Sequence, residues 1–309
     1  MSSSALAMVL VAAVLHAAWN LAAKAKRGDA YTFVWWYAVA TAAFTAPIGL
    51  GQIIQSGGWN MVEPGLVWAP AFSAAIHIGY NLALQIGYDR APLGVVYPAA
   101  RGTGPVLTMI VAVAFLSERP GWWALAGALV IVGGIVVTAV PGRNPESSRS
   151  LLKNSVAVTD GLSDTSGSRI LAGLRWGVLT GAFIAGYTLW DDHSVTALGQ
   201  SPIPYFALSS VYQAIFMTVG LGRRRRSALS GSLKSNWRII ATIGALSPAA
   251  YILVLTVMQT QPVSLVAPLR ETSIVVGSLL AWLIFKEPRP GRRLIGALLV
   301  VGGVALISV

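Results

Sequence analysis

The chain has 309 residues, of which 55% are hydrophobic and only 11% charged, with a formal net charge of +11 and no cysteine. Soluble domains carry about 25% charged residues, so this composition cannot clothe a solvated surface and points to a protein covered mostly by lipid. The lack of cysteine excludes disulfides and thiolate metal sites, and the positive excess is assigned to loops that set membrane topology rather than to nucleic acid.

A hydrocarbon core about 30 Å thick needs about 20 mostly apolar residues per helix. Ten segments meet that length, roughly 5–23, 31–51, 66–87, 92–115, 121–140, 171–191, 203–221, 239–257, 262–285 and 292–309. The first, MSSSALAMVLVAAVLHAAWN, lacks a basic n-region and a cleavage site, so it reads as a span rather than a signal peptide. It carries His16, Trp19 and Asn20, with His16 and Asn20 at i, i+4 on one helix face. Span three carries His77, Tyr80, Asn81 and Gln85. Span four holds Tyr97, Arg101 and Thr103 among Pro98, Gly102, Gly104 and Pro105, a composition that predicts a broken or distorted helix. Residues 141–170 are rich in Ser, Pro, Gly, Asn and charge and read as a flexible linker. Span six carries Tyr187, Trp190 and Asp191, with Asp192 and His193 expected to be solvated at the membrane edge. Span nine carries Arg270, Glu271 and Thr272.

The linker divides two copies of one pattern, residues 1–140 and 171–309. Gly127-Ala128-Leu129 and Gly133-Gly134 return as Gly296-Ala297-Leu298 and Gly302-Gly303. Glu118 returns as Glu287, Arg101 as Arg270, Trp19 as Trp190, His16 as Tyr187 and Asn20 as Asp191. Five spans is an odd number, so the second copy must enter the membrane from the opposite side. Inverted repeats are a basis for alternating access, with substrate bound near the midplane.

Of the 22 Lys and Arg, Arg101 and Arg270 lie inside spans. Nineteen others sit in or beside odd-numbered loops and one, Arg119, in an even one, which places the odd loops in the cytoplasm and both termini outside. The run Arg223–Arg226 reads as a topology anchor in preference to an anionic-lipid clamp.

These tandem five-span halves, each ending in a helix with an E-R/P…G…GG pattern, resemble the EamA-type transporters of the drug/metabolite transporter superfamily. The motifs HAAWN, VVYPAARGTGP, YTLWDD and LRETS further resemble the subgroup of phosphonate-utilisation-associated membrane proteins. The resemblance covers both halves and omits only the linker. It implies an all-α membrane protein of ten helices, two inverted five-helix repeats around a central cavity. Members of the family are commonly drawn with cytoplasmic termini, whereas the charge count places these termini outside.

An arginine near the centre of a span costs roughly 2.5–3.5 kcal/mol on insertion scales, so each needs a partner. Arg101 and Arg270 are expected to present a cationic pair to an anionic group of a substrate, guanidinium being suited to carboxylate or phosphonate. The alternative is a structural ion pair with Asp191 or Glu271 that locks the halves together. The expected substrate-binding set is Arg101, Arg270, Glu271, Tyr97, Thr103, Thr272, His16, Asn20, Trp19, Tyr187, Asp191, Trp190 and Asn81. Glu271, Asp191 and His16 are the candidates for carrying a coupling proton, with a permanent salt bridge or a packing role as the alternative for each. His77 reads as a packing residue. Trp35, Trp36, Trp59, Trp68, Trp122 and Trp123 read as interfacial, the glycine pairs as close-packing sites, and Glu118 and Glu287 as structural loop residues beside basic neighbours.

The chain shows no H-E-x-x-H, no G-x-S-x-G and no nucleotide motif, which argues against an enzyme, a metal or cofactor site and an ATP-driven pump. A channel would more naturally show a filter loop. The sequence reading is a gradient-driven carrier of a small anionic or zwitterionic metabolite in the cytoplasmic (inner) membrane, monomeric or homodimeric, with the lipid bilayer and the substrate as its partners. A non-transporting sensor or assembly subunit is the alternative.

Overall fold

The computed structural model describes residues 1–23, 26–58, 63–91, 93–139, 163–273, 275–277 and 290–308. Among them the chain is helical, with no strand. Ten helices follow in order: α1 Ser3–Ala23, α2 Ala30–Gln55, α3 Gly65–Arg90, α4 Leu93–Phe115, α5 Trp122–Ala139, α6 Ser163–Thr196, α7 Pro202–Val219, α8 Arg223–Met258, α9 Val263–Arg270 and α10 Pro290–Ser308. Three stretches, Ser3–Ala23, Tyr31–Gln55 and Arg223–Met258, are long and apolar enough to cross a membrane by length and composition. Shorter apolar helical stretches run over Ala99–Phe115, Trp122–Gly134 and Ile295–Ile307.

Among the described residues many large apolar side chains are exposed and part of the interior is charged. Phe115, Trp122 and Val219 are more than three-quarters exposed, whereas Arg101, Asp191, Arg270 and Glu271 are buried. A water-facing protein rarely leaves apolar patches this extensive. Trp68, Trp122 and Trp123 are exposed as expected of interfacial residues, and Trp59 lies outside the described residues.

Helices from the two halves pack on each other in matched pairs. α5 lies against α10 and α2 against α7; α1 lies against α8 as α3 does against α6; α2 lies against α8 as α3 does against α7; and α4 lies against α6 as α1 does against α9. Exchanging the first five helices for the last five reproduces each of these pairings. The α4–α6 seam depends on a stripe of small residues on α6. A Cβ on Gly177 would collide with the Ala99 side chain of α4, and one on Gly181 would stand 2.6 Å from that of Thr103.

Several boundaries differ from the sequence reading. α6 begins at Ser163, inside the expected linker, and α8 begins at Arg223, well before the expected span start at 239. Searching for apolar runs finds only the lipid-facing part of a helix, whereas Arg, Ala, Leu and Lys extend helices in water just as well. At 1.5 Å per residue the 36 residues of α8 reach roughly 54 Å, well beyond the hydrocarbon thickness. Its first turns are fixed by Trp36 Nε1, which donates to Leu229 O at 2.9 Å, and by Asn236, which exchanges two hydrogen bonds with the Arg27 backbone. The run Arg223–Arg226 is therefore helical rather than a loop.

The expected distortion also falls in the other copy. α4 runs unbroken through Arg101, while α9 ends at Arg270. There Glu271 N bonds back to Pro268 O and Thr272 N to Leu269 O, the tighter i→i+3 pattern. Thr272 Oγ1 donates to Leu269 O as well, at 2.7 Å, and such side-chain bonds compete with the helix.

Glu118, in the turn after α4, accepts from Val263 N at 2.8 Å and from Ser264 N at 3.1 Å. Its carboxylate thus caps the amino end of α9, where the helix dipole favours negative charge. The structural role holds, filled by helix amides; Glu287 lies outside the described residues. Glu118→Ala is expected to cost about 1–2 kcal/mol, the upper range for a lost cap, read as a lower midpoint of denaturant unfolding in detergent. A loss below about 0.3 kcal/mol would mean that water replaces the carboxylate.

Candidate functional site

α1, α2, α3, α4, α6, α7, α8 and α9 line a cavity of about 140 Å³. One water needs about 10–15 Å³, so the space suits a small metabolite. His16, Trp19, Tyr37, Thr41, His77, Tyr80, Asn81, Arg101, Tyr187, Phe206, Ser210, Gln213, Ser247, Tyr251 and Arg270 are among the residues that line it.

The charged wall is built where the two copies of helix four meet. Arg101 Nη1 donates to Glu271 Oε2 at 3.0 Å, and Arg270 donates to Glu271 Oε1 from Nε at 3.3 Å and Nη2 at 3.1 Å. Neighbouring side chains on a regular α-helix point about 100° apart and do not face each other. The end of α9 at Arg270 is what lets Arg270 and Glu271 pair. All three side chains are at most one-tenth exposed. Glu271 backs the cavity, with the arginines in its lining. Both sequence readings of the arginines meet here: they form a structural ion pair with Glu271, and they also face the cavity. Asp191 is not their partner.

Asp191, fully buried on α6, accepts from the hydroxyls of Tyr205 on α7 and Tyr251 on α8. It stands outside the lining and fixes Tyr251, which belongs to it. Tyr187 stacks on His77 with ring centroids 4.0 Å apart, and the Arg270 guanidinium lies 5.6 Å from the Tyr187 ring centre. His77, read as a packing residue, thus packs and also faces the cavity. His16 contacts Trp19 edge to face at 4.8 Å.

The remaining expected residues divide. His16, Trp19, Asn81, Tyr187, Arg101 and Arg270 line the cavity. Trp190 does not, although its counterpart Trp19 does; it contacts Trp68 and Phe72 and donates to Ala69 O at 3.0 Å. Asn20 donates to His16 O at 2.8 Å within its own helix. Thr103 lies at the α4–α6 seam, and Thr272 closes the end of α9. The side chain of Tyr97 lies outside the described residues. Asp192 is buried rather than solvated, at 8% exposure, on α6, which continues past it to Thr196; His193 is exposed as expected.

The sequence reading missed Tyr37, Thr41, Ser210, Gln213, Ser247 and Tyr251 as cavity residues. Tyr37 and Thr41, like Ser247 and Tyr251, are polar pairs at i, i+4 in otherwise apolar spans, which is the pattern that marked His16 and Asn20. The two tyrosines on Asp191 come from positions 14 and 60 residues away, a convergence that needs the fold.

Known proteins resemble this chain. Quaternary ammonium compound-resistance protein QacF of Klebsiella aerogenes is 26% identical over 102 residues, 33% of this chain and 88% of that protein. The probable 4-amino-4-deoxy-L-arabinose-phosphoundecaprenol flippase subunit ArnE of Salmonella enteritidis is 35% identical over 92 residues, 30% of this chain and 74% of that protein. A protein crystal structure superposes with a TM-score of 0.71 over 99% of this chain and 96% of that one, at 17% identity, a likeness of fold alone. The profile of the EamA-like transporter family matches residues 3–140 and 171–309. With nearly all of both helical halves matched, this chain belongs to the EamA-like transporter family.

Proposed function

We propose that the protein is a secondary active carrier that moves a small anionic or zwitterionic metabolite across the cytoplasmic membrane by alternating access. One observation carries this reading. An arginine from each half, Arg101 and Arg270, converges on one cavity that is lined by helices of both halves. Carriers built from inverted repeats bind substrate at such a junction. The matched helix pairings support two inverted five-helix repeats, residues 1–140 and 171–309, joined by 141–170. The bias of Lys and Arg supports cytoplasmic odd loops and external termini. Kinship with the phosphonate-utilisation-associated subgroup is part of the proposal and rests on the four motifs quoted above. Coupling to protons is assigned to Asp191 or His16. Glu271, held by both arginines, serves instead as a fixed countercharge.

The test begins with purified protein screened by thermal shift against amino acids, organic acids and phosphonates. A stabilising compound is then loaded into proteoliposomes, and exchange of labelled compound is followed. Counterflow is expected, together with loss of both binding and exchange in Arg101→Ala and Arg270→Ala. Downhill flux without counterflow would identify a channel, and consumption of the compound an enzyme. Normal binding in both variants would make the arginines purely structural.

A further inference from the structure

The arginine pair does not offer a ligand two equal partners. Glu271 accepts from Arg101 Nη1 and from the Nε and Nη2 edge of Arg270. Among the described residues Arg270 Nη1 is left buried without an acceptor, in a side chain only 6% exposed. Trp19 Nε1 is a second buried donor without an acceptor, and Trp19 and Arg270 line the same cavity. An unpaired buried donor costs about 1–3 kcal/mol, and more when charged. Both atoms have almost no accessible surface as they stand, so a ligand reaches them only as the side chains shift, and an acceptor brought that way removes the cost.

The charges at this wall can be counted. Among the described residues, Arg101 and Arg270 contribute two positive charges and Glu271 one negative, which leaves one positive charge. Asp191 has its carboxylate engaged by the Tyr205 and Tyr251 hydroxyls rather than by either arginine. His16 and His77 also line the cavity and add to the count only when protonated. One negative charge on a ligand brings the wall to neutrality, the state least costly to enclose. A second negative charge would meet the Glu271 carboxylate without a cation of its own.

We propose that the cavity receives one singly charged oxyanion group on Arg270 Nη1 and Trp19 Nε1, and that Glu271 sets the limit of one negative charge. A carboxylate, a sulfonate and the monoanion of a phosphonate share this chemistry. The inference rests on reading the cavity as the binding site of the carrier. Glu271 is then a specificity residue that works through the arginines it neutralises, and the equivalent place in the first half holds Gly102, which brings no charge.

Methanesulfonate and sulfate test this directly. They share a tetrahedral sulfur–oxygen head, keep their charges across the neutral pH range and differ by one negative charge. Binding to the full-length protein in detergent is read by isothermal titration calorimetry at constant ionic strength. The wild type is expected to bind methanesulfonate about tenfold more tightly than sulfate, a difference of roughly 1.4 kcal/mol. Glu271→Gln, which keeps an acceptor for the arginines, is expected to reverse that preference. Trp19→Phe is expected to weaken methanesulfonate several-fold while preserving the preference, and Arg270→Gln to abolish binding of both. Equal or tighter binding of sulfate by the wild type overturns the proposal, whatever the variants do. So does a wild type that binds neither probe. Arg270-dependent methanesulfonate binding without counterflow of any small anion retires the carrier reading and leaves this subsite in place. Counterflow that survives Arg270→Gln undiminished retires the subsite and leaves the carrier.

Discussion

Glu271→Ala is expected to lower the stability of the folded protein by about 3–5 kcal/mol, the usual loss when one member of a buried ion pair is removed. The size of the effect comes from what remains. Two guanidiniums, Arg101 and Arg270, keep their places in side chains no more than one-tenth exposed, and three hydrogen bonds to a carboxylate disappear. Neither arginine can shed its charge, because guanidinium stays protonated in proteins. The second consequence is positional. Arg101 reaches Glu271 across the boundary between the two halves, so the loss also loosens α4 from the end of α9. Replacing Arg101, Arg270 and Glu271 together by Met is expected to recover most of the stability, since an apolar replacement of a whole buried charge cluster is often neutral or better. That triple variant should fold and fail to bind anions. The measurement is the midpoint of denaturant unfolding in detergent for the single and triple variants. A single-variant loss under about 1 kcal/mol would show that other groups neutralise the arginines, and Glu271 would lose its place as their countercharge.

The duplication made this cluster findable. Arg101 and Arg270 stand at equivalent places in two copies of one pattern, and two copies facing each other bring equivalent residues together. The sequence also marks Glu271 as an acid without a counterpart, opposite Gly102. What it does not mark is which copy breaks. Span four holds Pro98, Gly102, Gly104 and Pro105 yet stays helical, because a bundle can re-satisfy the few backbone groups that proline frees. Span nine breaks at Glu271 and Thr272 through local bonds to Pro268 O and Leu269 O. Equivalence also failed at Trp190, which contacts α3 while Trp19 faces the cavity. A repeat predicts where a residue sits on its helix, but the neighbours decide what it touches. The start of α8 was hidden for a different reason: hydropathy records contact with lipid and falls silent where a helix passes into water.

The seam between α5 and α10 gives a prediction in which the sign, and not only the size, is at stake. Helices in lipid gain little from burying apolar surface against each other, so close backbone approach carries much of their association. A Cβ on Gly127 would stand 2.6 Å from Gly303 O, and a Cβ on Gly303 would stand 2.6 Å from Gly127 O. A Cβ on Gly134 would stand 2.8 Å from Gly296 O. The obstructing atoms are backbone, which cannot swing aside, so α5 and α10 must part. Gly127→Ala and Gly303→Ala are each expected to cost about 1–3 kcal/mol, the range for overpacking a well-filled contact. Gly133 and Gly302 are the immediate neighbours of Gly134 and Gly303 and look interchangeable with them in the sequence, yet a Cβ on either meets nothing within 4 Å. There alanine gains the helix propensity that glycine lacks, about 0.5–1 kcal/mol. Gly133→Ala and Gly302→Ala are therefore expected to stabilise the protein. Because Gly127 and Gly303 share one contact, their double variant should lose less than the sum of the single losses. Unfolding midpoints of the four single variants and the double variant decide the matter. If Gly302→Ala costs as much as Gly303→Ala, the glycine pairs act through flexibility of the helix rather than through the approach of two backbones.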